Sequence, residues 1–236
     1  MLHGFGDTLE SLKPLACLLS ESRQVLLIDL PGFGKSPYDE SLTSAQEMGE
    51  ALVLFLRHKG IEQFDILGHS FGGKVAMTMS SHYPDLVRKS VLVGSSGLKR
   101  KRGFQETLHF RLIKGLGTLV KMVDSILSKE LFLTWFSPRF ASSDYQNFPK
   151  VRKILVRSIN ENIDTLIRSI QQPTLLLWGG LDTETPLEMG YRLKNMIKDS
   201  NIVVYPTLGH RPFKDVGRYL IKEHLEQFLE ADVCRL

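Results

Sequence analysis

Chemistry first becomes legible at Phe64-Asp-Ile-Leu-Gly-His-Ser-Phe-Gly-Gly73, which reads as a short apolar strand, a Gly-x-Ser-x-Gly turn and a helix opening near Gly72. Gly68 and Gly72 flank Ser70 where the turn is too tight for side chains, and a serine so placed has its hydroxyl pushed out at the strand end. The amide of Phe71 would lie at the helix N-terminus, where unpaired N–H groups favour developing negative charge. A serine hydroxyl needs a base to take its proton, and histidine, which titrates near neutral pH, suits that task. Seven histidines are available: His3, His58, His69, His82, His109, His210 and His224. His210 follows Gly209 in a loop between a strand and the last helix, at the sheet end where the Ser70 turn must lie. His58 and His224 sit on helical faces that read as solvated. An acid is needed to orient the imidazole, and Asp182 lies just past a strand in Gly179-Gly-Leu-Asp-Thr-Glu-Thr-Pro186, with Glu184 as a second carboxylate in the same loop.

The elements that must hold these groups follow from the apolar patterning. Thr8 to Glu21 has Leu9, Leu12, Leu15 and Leu19 at helical spacing, with Pro14 in the first turns. Gln24 to Leu30 is a continuous apolar run of the kind a strand covered on both faces shows. Ser44-Ala-Gln-Glu47 is a capping box that opens a helix through Lys59, stopped by Gly60. Further strands are expected at Ser90 to Val93, Thr174 to Trp178 and Asn201 to Tyr205, and further helices at Leu187 to Ile197 and Val216 to Glu230. Strands alternating with helices predict an α/β fold with a mostly parallel sheet flanked by helices. From about 98 to 171 the alternation stops and only helical patterns remain, such as Leu108-Leu112-Ile113-Leu116-Leu119. This segment reads as a helical lid, or cap, inserted into a core of residues 1–97 and 172–236, over the carboxyl ends of the strands.

Bulk composition excludes several classes. The 236 residues suffice for one sizeable domain, or one with an insert. Net charge is +4, a small excess for binding nucleic acid or anionic surfaces. Residues 98–171 carry fourteen Lys and Arg against six Asp and Glu, so the remainder of the chain is slightly acidic. Two distant cysteines, Cys17 and Cys234, fit a reducing, cytoplasmic location better than a disulfide framework. No basic-then-apolar leader and no bilayer-length apolar run is expected. Gly34-Lys35-Ser36 resembles the end of a phosphate loop, but the glycine required five positions earlier is Asp29. Asp29-Leu-Pro-Gly32 resembles a GTPase switch without any phosphate loop. The run Lys99-Arg-Lys-Arg102 has no interleaved aromatics and reads as a solvated hinge, so no nucleic-acid partner is expected.

Taken together, His3-Gly-Phe-Gly6, Asp29-Leu-Pro-Gly-Phe-Gly-Lys-Ser36, Gly68-His-Ser-Phe-Gly-Gly73, Trp178-Gly-Gly-Leu-Asp182 and Gly209-His210 resemble the α/β-hydrolase fold superfamily over nearly the whole chain. Ser142-Ser-Asp-Tyr145 and Val156-Arg-Ser-Ile-Asn-Glu-Asn162 look, more loosely, like a group of bacterial members of it. The resemblance implies a nucleophile–acid–histidine order satisfied by Ser70, Asp182 and His210. It also implies an oxyanion hole from the backbone amides of Phe71 and Phe5, with His3 a structural residue tying its loop. The implied activity is a serine hydrolase acting on a small or medium ester, with no metal or organic cofactor. Phe104, Leu108, Phe132, Trp135, Phe136 and Phe140 would supply an apolar acyl or alcohol site, or simply the lid core. Serine at the turn argues against the epoxide hydrolase and dehalogenase branches, which use aspartate there. Thioesterase and carbon–carbon bond hydrolase chemistry stay open, as does a hydrolase-like binding protein or inactive remnant.

One departure bears on the sheet. The superfamily carries two strands and most of a third before His-Gly, whereas here only Met1 and Leu2 precede it. That third strand lies between the strands matching Gln24–Leu30 and Phe64–Gly68. The resemblance therefore implies either a central gap or direct pairing of those two. A start placed late in the reading frame, rather than a reduced variant, is the expectation.

Overall fold

A computed structural model describes residues 1–100, 104–127, 130–140 and 142–230, and of residues 104–107, 109, 110 and 143 the backbone alone. In chain order it contains α1 (Lys13–Leu19), α2 (Ala45–His58), β1 (Phe64–His69), α3 (Phe71–His82) and β2 (Val87–Val93). There follow α4 (Phe104–Leu127), α5 (Ser137–Phe140), α6 (Ser143–Asn147), α7 (Arg152–Asn160) and α8 (Asp164–Ser169). The chain closes with β3 (Thr174–Gly179), α9 (Leu187–Met196), β4 (Ser200–Tyr205) and α10 (Gly217–Glu230). The four strands form one parallel sheet in the order β1-β2-β3-β4.

Parallel strands need crossovers, which place helices on both faces and leave no wet face to the sheet. Period-two alternation then splits each apolar run between two cores. Leu92, Leu176 and Trp178 point into one core with Met48, Leu52, Val75 and Leu193. Val91, Val93, Leu175 and Leu177 point into the other with Leu15, Ile221 and Leu225. The capping box at the start of α2 is made as expected: Glu47 N–H donates to Ser44 Oγ at 3.1 Å, and Ser44 N–H donates to Glu47 Oε2 at 2.9 Å. The segment after Thr8 is less regular than its periodicity suggests. A 3-10 turn at Leu9–Ser11 precedes α1, which restarts with Pro14 in its first turn, where a missing N–H costs nothing.

Gln24–Leu30 does not form the expected strand. Among the described residues its ladder contact is a parallel bridge between Ile28 and Leu2, and Leu2 bridges Gly68 on its other side. Leu2 N–H donates to Leu67 O at 2.8 Å, His69 N–H donates to Leu2 O at 3.0 Å, and Ile28 N–H donates to Met1 O at 3.3 Å. The sheet therefore has neither an open gap nor a direct pairing at this point. Residues 1 and 2 wedge the two segments apart at the end nearest Ser70. Below them lies a cavity of about 580 Å³ lined by Val25, Leu26, Ile28, Ile66, Leu67 and Val91, among others. A strand is defined by its ladder, and among the described residues Gln24–Leu27 joins none, although the Met1 ammonium donates to Leu26 O at 2.7 Å.

Every regular element among the described residues between β2 and β3 is helical. A buried lysine of α3 ties this segment down. Lys74 Nζ pairs with Glu161 Oε2 at 2.9 Å and donates to the backbone carbonyls of Ser158 at 2.7 Å and Glu161 at 3.1 Å. Burial pushes its ammonium down, and the Glu161 carboxylate opposes that shift. No helix among the described residues is long and apolar enough to cross a membrane. Lys101, Arg102 and Cys234, and the side chains of Phe104 and His109, lie outside the described residues.

Removing one partner of a buried ion pair costs about 3 to 5 kcal/mol. Lys74→Ala is expected to lower stability by that order in denaturant titration. It should also speed proteolytic cleavage within 98–171 relative to the sheet; unchanged cleavage would show that the clamp does not hold the insert.

Candidate active site

Ser70 has φ 51° and ψ −115°, a left-handed backbone that an L-residue rarely adopts. Such a residue costs about 1 to 3 kcal/mol and persists only where its surroundings over-determine it. Here Ser70 N–H donates to Val93 O at 3.0 Å, and Ser70 O accepts from Gly73 N–H and Ser96 N–H, each at 3.0 Å. The flanking glycines are required by contact. A Cβ on Gly68 would collide with the backbone carbonyl of Gly72, and one on Gly72 would lie 2.5 Å from the carbonyl oxygens of Leu2 and His3. The short N-terminal segment and the start of α3 thus press backbone against backbone.

His3 is structural, as expected. Fully buried, its Nδ1–H donates to Gly4 O at 2.7 Å, and its Nε2 accepts from Leu30 N–H at 3.0 Å, which fixes one neutral tautomer. Phe5 is held by aromatic edges, with ring centroids 5.1 Å from Phe33, 6.2 Å from Phe71 and 5.9 Å from Phe148 of the insert. No hydrogen bond engages the amide of Phe5 or Phe71 among the described residues.

Asp182 and His210 are brought together from loops 28 positions apart: His210 Nδ1 donates to Asp182 Oδ2 at 2.8 Å, with Asp182 buried. Asp182 Oδ1 also accepts the amides of Glu184 and Thr185, each at 2.9 Å. Burial pushes the Asp182 carboxyl up, but the hydrogen bond and charge of His210 and the bonds from Thr185 outweigh it, leaving the carboxyl below its usual range. Glu184 meets the other face of the imidazole, with Oε2 3.4 Å from His210 Nε2. Among the described residues no hydrogen bond joins Ser70 Oγ to His210. The two loops nevertheless meet: Gly94, next to the Val93 that holds Ser70, is packed so that a Cβ would lie 3.1 Å from Asp182 Oδ2 and 3.4 Å from His210 Nδ1.

Two residues of this site carry no sequence signal that points to them. Thr185 Oγ1 lies 2.8 Å from Asp182 Oδ2, 2.9 Å from Gly94 O and 3.2 Å from His210 Nδ1, bridging the acid to the end of β2. His69, beside Ser70, sends Nε2–H to the backbone carbonyl of His210 at 3.0 Å. Its ring lies 4.7 Å from that of His210 and 4.8 Å from that of Phe213. Burial drives its pKa down to about 3, with the charge of His210 adding to the shift, so the ring is neutral, and among the described residues its Nδ1 has no hydrogen-bond partner. Only a histidine within the serine motif itself could have hinted at this role.

The insert faces the same rim. Burial raises the Asp144 carboxyl of α6, while the charges of Arg211 and His210 act to lower it. Arg211 also lies 3.5 Å from Asp7 Oδ2, linking the histidine loop to the turn that carries Phe5. No cluster of metal-ligating side chains occurs among the described residues.

Comparison with known proteins places the chain in a family. The chain is 25% identical to the uncharacterized hydrolase YugF of Bacillus subtilis, over 97% of this chain and 88% of that protein. It is 30% identical to the 2-hydroxymuconate semialdehyde hydrolase of Pseudomonas putida, over 81% of this chain and 72% of that one. Among solved structures, an esterase from Exiguobacterium antarcticum superposes with a TM-score of 0.73 at 21% identity, covering 98% of this chain and 90% of that one. The family model of the alpha/beta hydrolase fold matches residues 1–215, and the chain belongs to that family of hydrolases.

Proposed function

We propose that this hydrolase cleaves a small or medium carboxylic ester through an acyl-enzyme on Ser70. The observation that carries the reading is the buried Asp182–His210 pair at 2.8 Å, set at the strand ends beside a strained serine turn. In the forward step Ser70 Oγ bonds to the carbonyl carbon and its proton passes to His210 Nε2. Asp182 keeps His210 in the Nδ1–H tautomer and stabilises the imidazolium. The amides of Phe5 and Phe71 receive the oxyanion. The alcohol leaves with the proton from His210, and water, deprotonated by the same imidazole, releases the acid. The resting imidazole faces Glu184, so Nε2 must turn toward Ser70 when substrate enters. Hydrogen bonds of this kind commonly tighten only in the substrate complex. The packing of Phe148 on Phe5 and the nearness of Asp144 to His210 support the insert as a lid.

A second chemistry, hydrolysis of a carbon–carbon bond, is favoured by the 30% identity to 2-hydroxymuconate semialdehyde hydrolase. It uses the same serine site, and parallel assays on that semialdehyde and on p-nitrophenyl esters of rising chain length separate the two.

A fluorophosphonate probe is expected to label the protein, and Ser70→Ala to abolish both labelling and turnover, the latter by roughly 10⁴-fold or more. Folded protein that takes no label would overturn the enzyme reading. Asp182→Asn should cost roughly 10⁴-fold in kcat. Glu184→Gln should change kcat by less than tenfold; the reverse ranking would make Glu184 the orienting acid.

His69 reads as a positioning residue for the His210 loop. Loss of its bond to the His210 carbonyl should lower kcat about 10- to 100-fold in His69→Leu, with KM nearly unchanged. The unfolded chain takes up a proton at His69 near pH 6.5, whereas the folded one resists until about 3, so unfolding binds a proton across that window and acid destabilises the protein. The melting temperature should therefore fall less steeply with acid in His69→Gln than in the parent. Identical slopes would show that His69 is not held neutral.

A further inference from the structure

The outer side of α4 has a pattern the hydrolytic site does not use. Leu112, Leu116, Leu119, Val123 and Ile126 recur at steps of four and three, so they share one side of the helix. All five are exposed, Leu112 by 65%, Leu119 by 58% and Ile126 by 73%. The side of α4 that packs inward is a different one. It runs through Ile113, Gly117 and Val120, with Gly117 so close to Phe136 that a Cβ would lie 2.8 Å from the ring. Arg111 and Lys114 stand exposed on the polar side of the same helix. A long helix with an apolar stripe left exposed among the described residues and a cationic flank has the character of an interfacial helix, one that lies in a bilayer surface without spanning it.

Charge decides among possible occupants. Residues 98–171 hold fourteen Lys and Arg against six Asp and Glu, whereas the whole chain's excess is only +4. Two copies meeting stripe to stripe would press two strongly cationic inserts together. A bilayer of anionic lipid offers an apolar interior behind a negative surface and matches both features of α4. Trp135 and Leu133, half-exposed in the π-helical turn Phe132–Phe136 that packs beneath α4, add apolar surface to the insert.

We propose that the outer stripe of α4 docks this protein on an anionic lipid surface, with the apolar positions seated among the acyl chains and the cationic flank at the headgroups. The inference stands whether or not Ser70 is the nucleophile.

Flotation of the full chain with vesicles tests it. Binding to phosphatidylglycerol-containing vesicles should be at least about tenfold tighter than to pure phosphatidylcholine, and should weaken as salt rises. The variant Leu112→Asp/Leu119→Asp/Ile126→Asp should lose binding about tenfold or more while keeping its circular dichroism and melting temperature. Should that variant misfold, Arg111→Glu/Lys114→Glu must weaken anionic binding and flatten its salt dependence. Absence of binding to anionic vesicles, equal binding to neutral ones, or undiminished binding by a folded variant overturns the proposal. So does a dimer in light scattering that the triple variant disperses, without any lipid binding, since the stripe would then be covered by a second copy.

Discussion

The backbone strain at Ser70 is the constraint on which the rest of the structure depends. A residue at φ 51° relaxes unless its neighbours forbid it, and here the forbidding is done by parts distant in sequence. The end of β2 takes the Ser70 amide, Ser96 reaches back to its carbonyl, and Leu2 and His3 press on Gly72. Each of those contacts exists only when the parallel sheet has formed in its register. Strain of this kind is recovered only by a fold that is already rigid around it.

The same contacts involve Leu2, which bridges Ile28 on one side and Gly68 on the other. Leu2 contributes one peptide to each neighbour, at the end of the sheet nearest Ser70. That end is where Gly72 and the His3 turn are packed, so the pairing sits where it bears on Ser70. Farther along, Val25, Leu26 and Ile66 line a cavity, and the apolar run from Gln24 loses its ladder. The serine turn and the Phe5 turn are therefore supported from the end of the sheet where Leu2 pairs.

Around His210 the fold uses backbone carbonyls as much as side chains. Asp182 orients the ring, Thr185 ties Asp182 to the Gly94 carbonyl, and His69 grips the His210 carbonyl from the residue before Ser70. Serine motif and histidine loop are in this way coupled through a neutral, buried imidazole. Keeping that imidazole neutral has an acid-side cost in stability, because the unfolded state takes the proton readily.

Local rules made much of this readable beforehand. Apolar runs with glycine turns marked β1 to β4 to within a few residues, the capping box marked α2, and Gly68–Ser70–Gly72 marked the strained turn, since each obeys short-range sterics or hydrogen bonding. The loop positions of Asp182 and His210 were legible because each follows a strand. Invisible in the sequence were the failure of Gln24–Leu30 to become a strand, the grip of His69 and Thr185, and the turn of His210 Nε2 toward Glu184. All four depend on what stands beside a residue after folding. An apolar run becomes a strand only with a neighbour to bond, and a histidine in the serine motif finds its acceptor 141 positions away, a pairing that only the packed sheet decides.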